Sequence, residues 1–263
     1  KFATLEQLIS LRGKRALITG AAGGIGKAIA CRFAEAGADL ELVDRDGATL
    51  AGAANELSGY GVRIRSHVVD LSNKEQIDGL WNSLEGNEPD ILVNYAGIYP
   101  FRQFVDSDEE FVRHLMEVNL FSVTWMCREM ISRRRKLGGV IINLGSIEAV
   151  LPFKEDAAHY SVSKAGVIAL TRALAKEHAR HGFRVNAILP GGSLTPGTKS
   201  AAKEIFRFKF DLIRTGIEFR QRLPIGRVGQ PDEVARMALV LASDLASYVQ
   251  GAAIPVDGGF LAA

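Results

Sequence analysis

The sequence predicts an α/β protein with a doubly wound, seven-stranded parallel sheet flanked by helices on both faces. Three observations carry this. Seven short runs rich in Val, Ile and Leu recur along the chain, and stretches of helical periodicity separate them. No Gly/Ser/Pro-rich linker, low-complexity tract or fixed-period repeat divides the 263 residues, so one domain over 1–263 is expected. Strands alternating with helices form βαβ units, whose crossovers make the pairing parallel and cover both faces of the sheet.

The first strand, "RALITG" from Arg15, runs straight into "TGAAGGIG" at 19–26, and a helix is expected over 24–37. Glycines let backbone turn tightly and approach a pyrophosphate, whose charge then sits at the helix N-terminus. Gly20, Gly24, Ile25 and Gly26 are therefore candidate cofactor-binding residues. The second strand, "DLELVD" from Asp39, ends at Asp44, 24 residues after Gly20. A carboxylate there accepts hydrogen bonds from the adenosine ribose and repels a 2′-phosphate, which favours NAD over NADP. Arg45 beside it could receive that phosphate instead, which leaves NADP open.

Next come a helix over 47–59, the strand "RIRSHVVD" from Arg63, a helix over 73–86 and the strand "DILVNYAG" from Asp90. A long helix over 108–136 precedes "GVIINLGS" from Gly139, and a second over 158–181 precedes "RVNAILPG" from Arg184. A helix over 231–243 and the strand "AAIPVDGG" from Ala252 complete the order. "RRRK" at 133–136 reads as a solvated helix end, where cations complement the dipole. The segment 193–222, at 30 residues, is too long for a plain connector and reads as a substrate-binding flap. Within it Phe206, Phe210, Ile213 and Ile217 form an apolar helical stripe, with Arg207 and Arg214 elsewhere on that helix. The tail "FLAA" after Gly259 is expected to pack on a neighbouring subunit.

Composition excludes some classes. With 47% hydrophobic residues a large core is available, while a net charge of +2 with scattered Lys and Arg gives no nucleic-acid groove. Cys31 and Cys127 are too few for a disulfide framework and read as buried free thiols in a reducing compartment. No apolar run reaches membrane-spanning length and the N-terminus lacks the order of a signal peptide, so a cytoplasmic location is expected; Lys1 is not an initiator Met. No metal site is expected.

"YSVSK" opens the helix at 158–181, and Tyr160 and Lys164 are four apart, one turn from each other on one face. A free Tyr has a pKa of about 10 and is a poor base near neutrality. An adjacent ammonium favours the phenolate and makes the side chain a usable acid/base.

The spacing T-G-x-x-x-G-x-G, "NYAG" at 94–97, the Ser of "LGS" and "YSVSK" occur in that order, and together they resemble the short-chain dehydrogenase/reductase superfamily. The resemblance runs from the first strand to "VDGG" at 256–259. It implies a Rossmann-type domain that interconverts a secondary alcohol and a ketone, or a lactol and a lactone, with a nicotinamide cofactor. It also implies a homo-oligomer, tetramer or dimer, with the helices 108–136 and 158–181 at an interface. On the matching positions, Tyr160 looks like the proton donor or acceptor and Lys164 like the cation that grips the nicotinamide ribose. Ser146 matches the Ser that holds the reacting oxygen, and Asn119 the helix Asn of a water-linked proton relay. Asp70, with Leu71 after it, matches the adenine-contacting acid, and Asn94, Ala96 and Gly97 the cofactor-lining strand end. Pro190, Gly191, Ser193 and Thr195 of "PGGSLT" match the stretch holding the nicotinamide carboxamide. Tyr95 stands where the family usually has a second Asn, and Ser193 where Val or Ile is usual. Tyr160 follows Ser146 by 14 residues, about one more than the family suggests, so the intervening loop is expected to bulge toward the substrate.

Glu148, Lys154 and His159 lie between the candidate Ser and Tyr, and with Gly192 they are the candidate substrate residues. Polar side chains there suit a small polyhydroxylated substrate, a sugar, aldonate or polyol. Lys154, Glu155 and Asp156 read equally as a solvated turn. Reduction of a 3-oxoacyl thioester is the alternative activity, and a non-catalytic nucleotide-binding scaffold or redox sensor the alternative of another class.

Overall fold

A strand buried on both faces is apolar on both sides, and β1 (Arg15–Thr19) sorts the core in this way. In the computed structural model, which describes residues 2–192 and 222–263, Ala16 and Ile18 point into one hydrophobic layer and Leu17 into the other. Around β1 lie β2 (Asp39–Asp44), β3 (Ile64–Val68), β4 (Ile91–Asn94), β5 (Gly139–Leu144), β6 (Phe183–Pro190) and β7 (Ala253–Val256). Their order is β3-β2-β1-β4-β5-β6-β7, and every neighbouring pair is parallel; seven parallel strands are what the sequence predicts. The order reverses between β1 and β4, and ligands of such sheets bind at the carboxyl ends of the strands flanking that point.

After a short α1 (Leu5–Ile9), which the sequence reading does not anticipate, α2 (Gly24–Glu35) and α3 (Gly47–Leu57) cover one face. The other face is covered by α4 (Lys74–Ser83), then by the sequence α5 (Glu109–Met116) and α6 (Ser122–Arg133), and by α7 (Ala158–His178). The last helix, α8 (Pro231–Ala242), returns to the α2 side. Side chains fix the helix starts: Asp46, Asn73 and Asp108 accept hydrogen bonds from first-turn amides of α3, α4 and α5.

Four local expectations need correction. The single helix expected over 108–136 is interrupted by a π-helical turn, Glu117–Phe121, because the Asn119 carboxamide is engaged outside the helix. "RRRK" is more than a solvated end. Arg134 is 11% exposed and donates to the Gly138 and Glu88 carbonyls and to Asp90, locking the end of α6 to the start of β4. Cys127 is buried but Cys31 is only half-buried, its Sγ 3.0 Å from the Tyr60 hydroxyl. Phe260 of the tail is fully buried within its own chain, against Leu223, Ile147 and Phe153. Apart from Arg222, the expected flap lies outside the described residues, and with it Phe206, Arg207, Phe210, Ile213, Arg214 and Ile217.

Candidate active site

The turn from β1 to α2 leaves no room for side chains. A Cβ on Gly26 would lie 2.2 Å from the Gly20 carbonyl oxygen, and one on Gly20, whose φ is 70°, would lie 3.0 Å from Ala96 Cα. Gly23 caps α2 without any side-chain hydrogen bond, which leaves the Gly24 and Gly26 amides free at the positive end of a 12-residue helix. That arrangement fits the pyrophosphate of a dinucleotide. Asp44 is half-buried and holds the loop in place, accepting from the Ala22 amide at 3.1 Å and from the Asp46 amide at 3.1 Å, while Arg45 is exposed. Asp70 accepts two hydrogen bonds from Ser72, which keep its carboxyl below the usual range, and Leu71 is buried.

Sequence reasoning passed over Thr19, whose Oγ1 receives the Tyr95 and Ala96 amides at 3.0 and 3.1 Å and so joins β1 to the end of β4. Asn94 is 2% exposed. Its carboxamide donates to Asn143 Oδ1 at 2.9 Å inside the sheet, which itself donates to Thr171. The Asn94 side chain thus serves the sheet interior. Tyr95 packs against the glycine loop, its ring edge 2.7 Å from where a Gly26 Cβ would stand, and the Ile25 amide faces its hydroxyl. Pro190 ends β6, and the Gly191 amide donates to Val256 across to β7 at 3.0 Å. Ser193 and Thr195 lie outside the described residues.

Four predicted residues converge at the ends of β4 and β5. Ser146 follows β5 and is 7% exposed, with its hydroxyl hydrogen-bonded to the Tyr160 phenol on α7. Lys164, one turn on, is 5% exposed, and its Nζ donates to the Leu144 carbonyl at 2.9 Å and stands 5.9 Å from the Tyr160 ring centroid. Asn119 grips Ile98 from both sides, accepting from its amide at 2.8 Å and donating to its carbonyl at 2.9 Å. A Cβ on Gly97 would lie 3.1 Å from Asn119 Oδ1 and 3.5 Å from Lys164 Nζ, so Gly97 is the backbone between them.

Burial dominates the electrostatics. It pushes the Tyr160 phenol up to about 12, against a lowering hydrogen bond from Ser146, with the charge of Glu148 also raising it. The same desolvation brings Lys164 down to about 8. Burial sets the direction for the phenol here; the lowering expected from Lys164 is one that a bound oxidised nicotinamide would share.

Beside Tyr160 stands Tyr99, which sequence reasoning missed because "GIYP" carries no motif. Its ring lies 4.2 Å from the Tyr160 ring between centroids, and its hydroxyl donates to Glu148 Oε1 at 3.2 Å. Glu148 is 2% exposed, with its carboxyl raised by burial. Lys154 is not part of a solvated turn. Its ammonium lies 4.9 Å over the Tyr99 ring and 5.5 Å over Phe101, with its pKa lowered by burial. Asp156, at a φ of 59°, marks where the longer loop between Ser146 and Tyr160 turns. His159 goes elsewhere, stacked 5.0 Å from Phe104, and the Gly192 carbonyl accepts from the Gly229 amide at 2.9 Å. The structure therefore joins Glu148 and Lys154 to Tyr160 through Tyr99, and does not join His159 to them.

A family model described as enoyl-(acyl carrier protein) reductase matches residues 20–261. Galactitol 2-dehydrogenase (L-tagatose-forming) of Cereibacter sphaeroides is 40% identical, covering 95% of this chain and 96% of its own. The 3-oxoacyl-(acyl-carrier-protein) reductase FabG of Thermotoga maritima is 35% identical over 95% of this chain and 99% of its own. The crystal structure of a short-chain type dehydrogenase/reductase from Mycobacterium marinum superposes with a TM-score of 0.89 at 32% identity, covering 98% of this chain and 99% of that one. With the parallel sheet, the glycine loop and the Ser146–Tyr160–Lys164 cluster, these likenesses establish that the chain belongs to the short-chain dehydrogenases/reductases, the NAD(P)-dependent oxidoreductases that act on CH–OH groups.

Proposed function

We propose that the chain is an NAD-dependent dehydrogenase interconverting a secondary alcohol and a ketone, or a lactol and a lactone, on a sugar, aldonate or polyol. The observation that carries this is the Tyr160 phenol held by Ser146 with a buried Lys164 one turn away. A bound nicotinamide supplies or accepts the hydride and, when oxidised, carries a positive charge. Ser146 orients the reacting oxygen, and Tyr160 gives or takes its proton. Lys164 holds the nicotinamide ribose, and Asn119 keeps Ile98 and Gly97 in line beside it. The turn at Gly24, Ile25 and Gly26 takes the pyrophosphate, through the Gly24 and Gly26 amides, and Asp44 takes the adenosine ribose, which sets the preference for NAD. The same reading makes 1–263 one cytoplasmic domain, 193–222 its substrate flap and the chain a homo-oligomer. Exposed Phe121 and Val162, on the π-turn and on α7, are apolar surface suited to such an interface.

The galactitol-oxidising relative supports a polyol and the Thermotoga relative a 3-oxoacyl thioester. The buried Glu148 carboxylate beside Tyr99 favours the first, because an acyl chain would strand a charge in an apolar contact. The test is turnover at 340 nm with NAD and NADP across sugars, polyols, aldonates, simple alcohols and 3-oxoacyl thioesters. NAD-linked activity on a polyhydroxylated compound is expected; exclusive activity on thioesters would reverse the assignment.

A further inference from the structure

Glu148 is an expensive residue where it stands. A carboxylate 2% exposed must be compensated, and Glu148 receives the Tyr99 hydroxyl at Oε1, 3.2 Å, and the Phe153 amide at Oε2, 3.2 Å, with the Lys154 amide as a third donor and the Lys154 charge nearby. A carboxylate offers about four acceptor sites, so about one remains for a further donor. Its place is set from two sides. Its own amide donates to Ser146 Oγ at 3.2 Å, and its partner Tyr99 lies ring to ring with Tyr160 at 4.2 Å. Ser146, Glu148, Tyr99 and Tyr160 thus close a circuit around the space where the reacting oxygen is held. Lys154 covers the Tyr99 ring at 4.9 Å and keeps that side chain in place.

We infer that Glu148, oriented by Tyr99, accepts a hydrogen bond from a substrate hydroxyl on the carbon next to the reacting one, so that the enzyme selects vicinal diols and α-hydroxy ketones over plain alcohols and ketones. This rests on the reading of Tyr160 and Ser146 given above and adds the group that ranks substrates. Tyr99 is a positioning residue: its hydroxyl aims the carboxylate, and its ring keeps the pair against Tyr160.

The test uses binding, which does not depend on turnover. The full chain, loaded with NADH or with NADPH, is titrated with butane-2,3-diol and with butan-2-ol, and nicotinamide fluorescence is followed; alcohols with reduced cofactor form dead-end complexes. The diol is expected to bind about 10- to 100-fold more tightly, the worth of a hydrogen bond to a charged group. Glu148→Gln should bring that ratio toward one, and Tyr99→Phe, which keeps the ring and loses the hydroxyl, should lower it in the same direction. Equal affinities in the native protein, or an unchanged ratio in Tyr99→Phe, would overturn the inference. A purely structural role would weaken both ligands equally and leave the ratio alone. Discrimination in binding without turnover of either compound would instead fault the catalytic reading and leave this one standing.

Discussion

At the residue scale, one cause acts in opposite senses on two side chains. Desolvation favours the neutral form, so the Tyr160 phenol keeps its proton and the Lys164 ammonium tends to lose its own. Tyr160→Phe should cut turnover by at least roughly 100-fold, the usual worth of a general acid/base, with NADH affinity retained in a fluorescence titration. Lys164 yields a pH prediction. Its pKa is lowered from 10.5 to about 8, so below pH 8 the folded state carries a buried cation at a cost of roughly 3 kcal/mol. From pH 8 to 10.5 the folded state sheds its proton first and that cost disappears. Lys164→Met should therefore abolish turnover yet be more stable than the native protein at pH 7, less the lost bond to Leu144. Urea unfolding at pH 7 and pH 10 should show the gap narrowing; a gap that is constant or widens would contradict the buried-cation account. The spacing of Tyr160 and Lys164 was legible because helical geometry is local. The outcome of their electrostatics was not, since burial is set by elements far away in sequence.

At the element scale, the β1–α2 turn and the π-turn show two degrees of legibility. The glycine loop is readable because a close backbone approach leaves its mark in residue type. Gly26→Ala would set a methyl 2.2 Å from the Gly20 carbonyl, which cannot rotate away. Overpacking of this kind costs about 1–3 kcal/mol, so a lower melting temperature and weaker NADH binding are expected together. Normal values for both would mean that the loop opens to accept the methyl. The π-turn had no such mark. Asn119 looks like any helix Asn in "EVNLFS", and only the loop after β4 at Ile98, across the fold, explains why the helix widens there.

At the scale of the whole molecule, Phe260 packs back onto the loop that follows β5. Phe260 fills the space between Leu223, Ile147 and Phe153, and Arg222 lies 4.7 Å over its ring, so the tail joins the Ser146–Tyr160 loop to the root of the 193–222 segment. Removing a buried Phe costs about 3–5 kcal/mol, and Phe260→Ala should lose that much in urea unfolding. A loss below 1 kcal/mol would place the tail outside the cooperative fold. No helix among the described residues is long and apolar enough to cross a membrane, and none of their His, Cys, Asp and Glu clusters suits a metal ion. Element order, the parallel sheet, the glycine loop and the Ser146, Tyr160 and Lys164 positions follow from periodicity and spacing, which are properties of neighbouring residues. The meeting of Tyr99, Glu148 and Lys154 beside Tyr160, the inward turn of Phe260 and the diversion of His159 toward Phe104 depend on which strand ends and loops become neighbours. That is decided by packing between residues distant in sequence, and no local pattern records it.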